Sequence, residues 1–227
     1  MNGKINKTKC EFMKKFLENY MNCNNMYFIV GIVCVSFIYL YIQQEYILIP
    51  LLKEGSLISE SLKTQIIAQF AKYRWASFVL YPIFVLLRIV LVGCCLFIGF
   101  LFFDAFSRQK IKKCLNIAIK ADVILIASPI LYTICILFMG ADNATYIMKR
   151  TSLLGIFDTD AMESFLLIPI GLFNVFEVLY WFFMAAILSV SVNKTYKESM
   201  NFVIATYGAG LLLYILIMIF VVLYMSQ

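Results

Sequence analysis

Long apolar runs separated by short polar stretches dominate this chain. They fall into five blocks, residues 26–42, 75–103, 121–139, 165–192 and 202–225. A helix rises about 1.5 Å per residue, so roughly 20 apolar residues cross the ~30 Å hydrocarbon core of a bilayer. The pattern predicts an all-α, polytopic membrane protein: a bundle of five transmembrane helices with amphipathic interfacial helices. Residues 1–25 read as a basic N-terminal arm and residues 26–227 as a single five-span domain.

The stretches between the blocks carry their own periodicity. In the arm, Lys4, Lys7, Lys9, Lys14 and Lys15 stand against Glu11 and Glu18, while Phe12, Phe16, Leu17 and Tyr20 recur at helical spacing. A helix of this kind lies on a membrane surface. The first block follows the arm without a small-residue cleavage site, so it reads as an uncleaved span. From Ser59, a plausible N-cap, Leu62, Ile66, Phe70 and Tyr73 follow the i, i+4, i+8, i+11 pattern of a second interfacial helix. Residues 107–120 form a basic segment, 140–164 a polar loop and 193–199 a hydrophilic turn. Pro82, Pro129 and Pro169 each interrupt a span, which predicts kinks whose freed carbonyls neighbouring helices satisfy.

Composition narrows the function classes. The chain is 63% hydrophobic and 14% charged, against about half and a quarter in soluble domains. It has no histidine, which removes His-based triads and His-containing zinc motifs. None of its seven cysteines forms a C-x-x-C pair, and no phosphate-binding glycine loop is present. No metal, cofactor or catalytic residue is expected, and the chain reads as a non-enzyme. Its net charge of +6 is spread over short connecting segments and does not point to nucleic acid. The arm and the segments after the second and fourth spans hold twice as many Lys and Arg as the other connections. That bias predicts a multi-pass protein of the cell membrane, N-terminus cytoplasmic and C-terminus outside.

Candidate chemistry is confined to a few intramembrane polar residues. Glu177 lies near the middle of the fourth block, with Asn174 three residues before it, and Arg88 lies inside the second. A carboxylate at that depth costs roughly 2.5 kcal/mol or more unless it is answered. Taking Arg74 and Arg108 as the ends of one span, and Glu163 and Lys194 as the ends of the other, both Arg88 and Glu177 fall within about one helical turn of midspan. An Arg88–Glu177 pair is therefore allowed if the two helices are neighbours. It would act as a structural ion pair fixing helix register, or as a polar element in an ion, proton or substrate path. Either residue could instead snorkel or face a partner. Ala185 with Ser189 and Ala205 with Ala209 are small-xxx-small pairs suited to close helix packing.

The five spans, the basic segment FSRQKIKKCLNIAIKADVILIASPIL, the stretch FNVFEVLYWFFMAA and the closing ATYGAGLLLYILIMIF resemble a bacterial Yip-like family. These are small five-span proteins related to the Rab-interacting membrane proteins of eukaryotes. The resemblance covers residues 59–224, and its most specific piece is 174–181, NVFEVLYW. It implies a five-helix bundle with a cytoplasmic N-terminus and no catalytic residues. The expected function is action through helix packing with a membrane-protein partner or a second copy, or through membrane organisation and trafficking. The bilayer itself is the expected environment. The alternative is a small-solute or ion transporter, or permease subunit, using Glu177 and Arg88.

Overall fold

The computed structural model describes residues 2–50, 60–103, 109–157 and 164–225. The chain is a helical bundle in which five helices are long and apolar enough to cross a membrane: Asn25–Leu48, Thr64–Phe102, Ile111–Met139, Val175–Val192 and Tyr196–Tyr224. Several boundaries differ from those read in the apolar blocks, and each difference has a local cause.

Helix α1 (Asn2–Asn22) is the arm. It turns at Cys23 into α2 (Asn25–Gln43), whose first turn is capped by the Asn24 side chain accepting from the Met26 N–H at 3.0 Å. One π turn, Gln44–Leu48, extends α2. The expected interfacial helix and second span are one element, α3 (Glu60–Phe102). Within this helix no glycine occurs before Gly93, and Pro82 is absorbed inside it, so nothing separates the two. The Ser59 cap lies outside the described residues.

The basic segment after α3 is not a loop. It forms α4 (Ile111–Ala121), with Cys114, Ile117, Ala118 and Ala121 wholly buried at the i, i+3, i+4, i+7 spacing of one face. Asp122 keeps helical dihedrals, and the chain runs on into α5 (Val123–Met139). The third span therefore begins ten residues earlier than its apolar block. It ends at Gly140, whose φ of +83° is one that side-chain-bearing residues rarely adopt. The loop that follows holds a further helix, α6 (Ala141–Thr151), and a short 3-10 turn, Leu153–Gly155.

The fourth block is two helices, α7 (Ser164–Leu172) and α8 (Val175–Val192). Asn193 closes α8 in the left-handed region, with φ 55°. Thr195 and Glu198 then form a reciprocal capping box at the start of α9 (Tyr196–Val203). A second π turn, Ile204–Gly208, joins α9 to α10 (Ala209–Met225).

The core lies where α3, α4, α8 and α9 meet, with Leu96, Phe100, Ile117, Tyr180, Met184, Ile187, Leu188, Phe202 and Val203 almost fully enclosed. Close approach of α3 to the π turn before α10 depends on Gly99 and Gly210. A Cβ on Gly99 would collide with Thr206 and come within 2.8 Å of the Phe202 ring, and one on Gly210 would lie 2.6 Å from the Cys95 sulfur. The packing seam is thus Thr206 and Gly210. Ala205 and Ala209, the expected small-residue pair, are exposed. Ala185, of the other pair, is wholly buried.

Candidate functional site

Arg88 on α3 does not pair with Glu177. It is held by Asp122, the residue at the α4–α5 junction. Arg88 Nη2 donates to both carboxylate oxygens of Asp122, at 2.7 and 2.9 Å, and Nε donates to one of them at 3.1 Å. This forked geometry fixes the two side chains in position as well as neutralising them. The Asp122 side chain is fully enclosed, whereas 40% of the Arg88 side chain remains open on the outside of the bundle. The guanidinium is therefore turned inward onto a buried carboxylate from a helix whose other side faces outward.

Glu177 has a separate set of partners. One carboxylate oxygen accepts from the Trp181 indole N–H at 2.8 Å and from the Tyr207 hydroxyl at 2.7 Å. Trp181 lies one turn further along α8, and Tyr207 belongs to the π turn before α10. A π turn carries one extra residue, which displaces the side chains that follow and re-aims them. Glu177 is 8% exposed and Tyr207 7%, so the three-residue contact ties α8 to the last span in a shielded setting.

Tyr180 adjoins the Glu177 group. It is 1% exposed and packs edge-on to Tyr207, with ring centroids 5.3 Å apart. Trp181 meets the Tyr207 ring edge-on from the other side at 5.9 Å. The bundle thus holds two polar groups, an ion pair between α3 and the α4–α5 junction and a shielded acid between α8 and the π turn.

Asn174 has a backbone role. Its side chain accepts from the Glu177 N–H at 2.9 Å and so caps the first turn of α8. Glu177 is consequently a first-turn residue of α8, where the helix dipole favours a negative group, and not the middle of an unbroken span. The break at Phe173–Asn174 frees backbone groups that need partners. The Leu153 N–H donates to the Phe173 carbonyl at 2.9 Å, and Ser152 forms an isolated antiparallel bridge with Asn174. The segment expected as an outer polar loop therefore folds back to seal the break.

Of the three residues singled out from sequence, Asn174 and Glu177 are joined directly, and Arg88 is bonded to Asp122 instead. Asp122, Tyr180, Trp181 and Tyr207 lie outside the polar cluster expected from the sequence. Asp122 carried a usable signal: it is an acid one residue inside an apolar run whose only intramembrane basic counterpart is Arg88. Lys120, two residues before it, makes it read as a span boundary. Tyr207 carried none, because its span has no charge. Among the described residues no group of three or more His, Cys, Asp or Glu side chains is placed to hold a metal, and Cys23, Cys34, Cys94, Cys95, Cys114 and Cys135 are free thiols.

Comparison of the chain with known protein families, with curated proteins and with solved structures finds no match.

Proposed function

We propose that this is a non-enzymatic protein of the cell membrane, N-terminus in the cytoplasm, acting through its outward helix faces by packing against a membrane partner or a second copy or by organising the bilayer. The observation that supports this most directly is the small share of each span used inside the bundle. In the most apolar stretch of the first, third and fifth spans only 17% is buried, against 39% for the second and 33% for the fourth. The polar residues fit the same picture. Arg88, Asp122 and Glu177 bond to one another or to aromatic donors, which fixes helix positions and leaves the outward faces as the variable surface. The Yip-like resemblance agrees with this reading and rests on span spacing and the 174–181 segment. Reconstitution into liposomes tests it: proton and monovalent-cation flux should equal that of protein-free vesicles. Flux abolished by Arg88→Leu or Glu177→Gln would overturn the reading.

A second reading, a transporter or permease subunit, is favoured by one arrangement. Glu177 sits beside a broken helix on one side and a π turn on the other, and discontinuous helices beside an acid are a recurrent way to build ion sites in membranes. It predicts uptake that Glu177→Gln abolishes while the melting temperature in detergent stays near that of the unaltered protein.

A further inference from the structure

At the end of the bundle where the C-terminal part of α2 passes α3 and α5, an open groove of about 590 Å³ is lined by Phe37, Ile38, Tyr41, Ile42, Tyr46, Phe78 and Leu137. Its size falls in the range of small-molecule sites, and its walls are almost wholly apolar with a high share of aromatic rings. A polar cluster adjoins it. Arg74 Nη1 pairs with Glu45 at 2.6 Å, and Arg74 Nε donates to Gln44 at 2.8 Å. The guanidinium also lies over the rings of Tyr41 and Phe78, at 5.6 and 5.9 Å from their centroids. Those two rings belong to the groove wall, so the charged cluster and the apolar slot share residues.

From these features we infer that the groove holds one zwitterionic phospholipid, its acyl chain along Phe37, Ile38 and Phe78, its phosphate at Arg74 and its ammonium at Glu45. The argument has three parts. The groove opens on faces that lie in lipid, so a hydrocarbon chain is the occupant the surroundings supply. The polar end presents a cation and an anion side by side, and 27% of the Arg74 side chain and 33% of the Glu45 side chain remain open to a ligand. A zwitterionic headgroup complements both charges, whereas an anionic one would bring its charge up to the Glu45 carboxylate. Finally, Gln44 and Glu45 open the π turn Gln44–Leu48, with Gln44 turned inward at 4% exposure and Glu45 placed against Arg74. Such turns are frequent at functional positions. The site is separate from the Arg88–Asp122 and Glu177 groups, and the inference does not rest on the partner reading above.

Photolabelling of the full chain in nanodiscs tests it. The probes are phosphatidylethanolamine and phosphatidylglycerol carrying the same diazirine acyl chain, with labelled peptides mapped by mass spectrometry. Phosphatidylethanolamine should label the 37–46 region about fivefold more than phosphatidylglycerol, the scale of one partly exposed ion contact. Ile38→Trp fills the slot without touching the ion pair and should bring that label down to the phosphatidylglycerol level. Ile42→Phe serves the same purpose if Ile38→Trp fails to fold. Glu45→Gln should bring the two lipids to near parity. Equal labelling of the unaltered protein by both lipids would mean ordinary annular lipid and overturn the inference. So would labelling that persists in a folded, groove-filled variant.

Discussion

At the scale of single residues, the Arg88–Asp122 pair sets the largest expected effect. Removing one partner of a buried ion pair strands the other and costs about 3–5 kcal/mol, whereas replacing both by apolar groups is often neutral or stabilising. Asp122 is the fully enclosed member, so Arg88→Leu leaves an unpaired buried carboxylate; Arg88 is partly open, which places the loss at the low end of that range. Folded yield and thermal unfolding in detergent should therefore show Arg88→Leu strongly destabilised, and Arg88→Leu with Asp122→Leu close to the unaltered protein. A double variant as unstable as the single one would mean that the pair is not the cause. Glu177 is tied in differently. Glu177→Ala strands the buried Tyr207 O–H, an expected loss of about 1–3 kcal/mol, and frees the half-buried Trp181 N–H at a smaller cost. Tyr207→Phe removes one of the two bonds and should recover none of the loss when combined with Glu177→Ala beyond its own share.

At the scale of elements, the helix breaks are the least legible feature in the sequence and the most informative one in the structure. Lipid selects for apolar composition alone, so the five spans stand out in a run of letters. Where a helix stops is decided by competition between backbone bonds and a nearby side chain. The string FLLIPIGLFNVFEV gives no count of which wins. Asn174 wins as an N-cap because Leu153 and Ser152 return to bond the freed backbone, a contact no local pattern announces. Helix α4 is hidden for a different reason: it has an apolar face at Cys114, Ile117, Ala118 and Ala121, but Lys112 and Lys113 on its other positions, with Lys110 just before it, read as a connecting loop. Asn174→Ala should cost about 0.5–2 kcal/mol, the usual range for loss of an N-cap, with hydrogen exchange at residues 175–178 rising more than elsewhere in α8. Gly99→Val is expected to cost about 1–3 kcal/mol by overpacking against Phe202 and Thr206. Gly31→Val, where a Cβ meets nothing within 4 Å, is its control.

At the scale of the whole molecule, the N-terminal arm is a docked part of the bundle. Leu17 of α1 is buried in the common core, and Tyr20 packs edge-on against Phe28 of α2 and Phe183 of α8, at 5.1 and 5.8 Å. The Tyr20 hydroxyl donates to the Lys120 carbonyl at 2.8 Å, and the Lys120 ammonium returns a bond to the Met21 carbonyl at the end of α1 while lying over the Phe28 ring. A lysine at that position also complements the negative end of the α1 dipole. The remaining face of α1, with Phe12, Met13 and Phe16 exposed beside Lys14 and Lys15, suits the bilayer surface next to the first span. Docking therefore couples the surface helix to the core through Tyr20, and that coupling has a pH signature. Burial pushes the Tyr20 hydroxyl up to about 12 from its ordinary value of 10.0. The group is raised in the docked state, so its contribution is complete below pH 10 and is lost as pH rises through about 12. Limited proteolysis of the arm across pH 9–12 should show α1 becoming susceptible in that window. Tyr20→Phe keeps the ring contacts but has no proton to lose and no bond to Lys120; its arm should be more susceptible at pH 9 and change less on going to pH 12. An identical pH profile for the two proteins would mean that another group governs arm release.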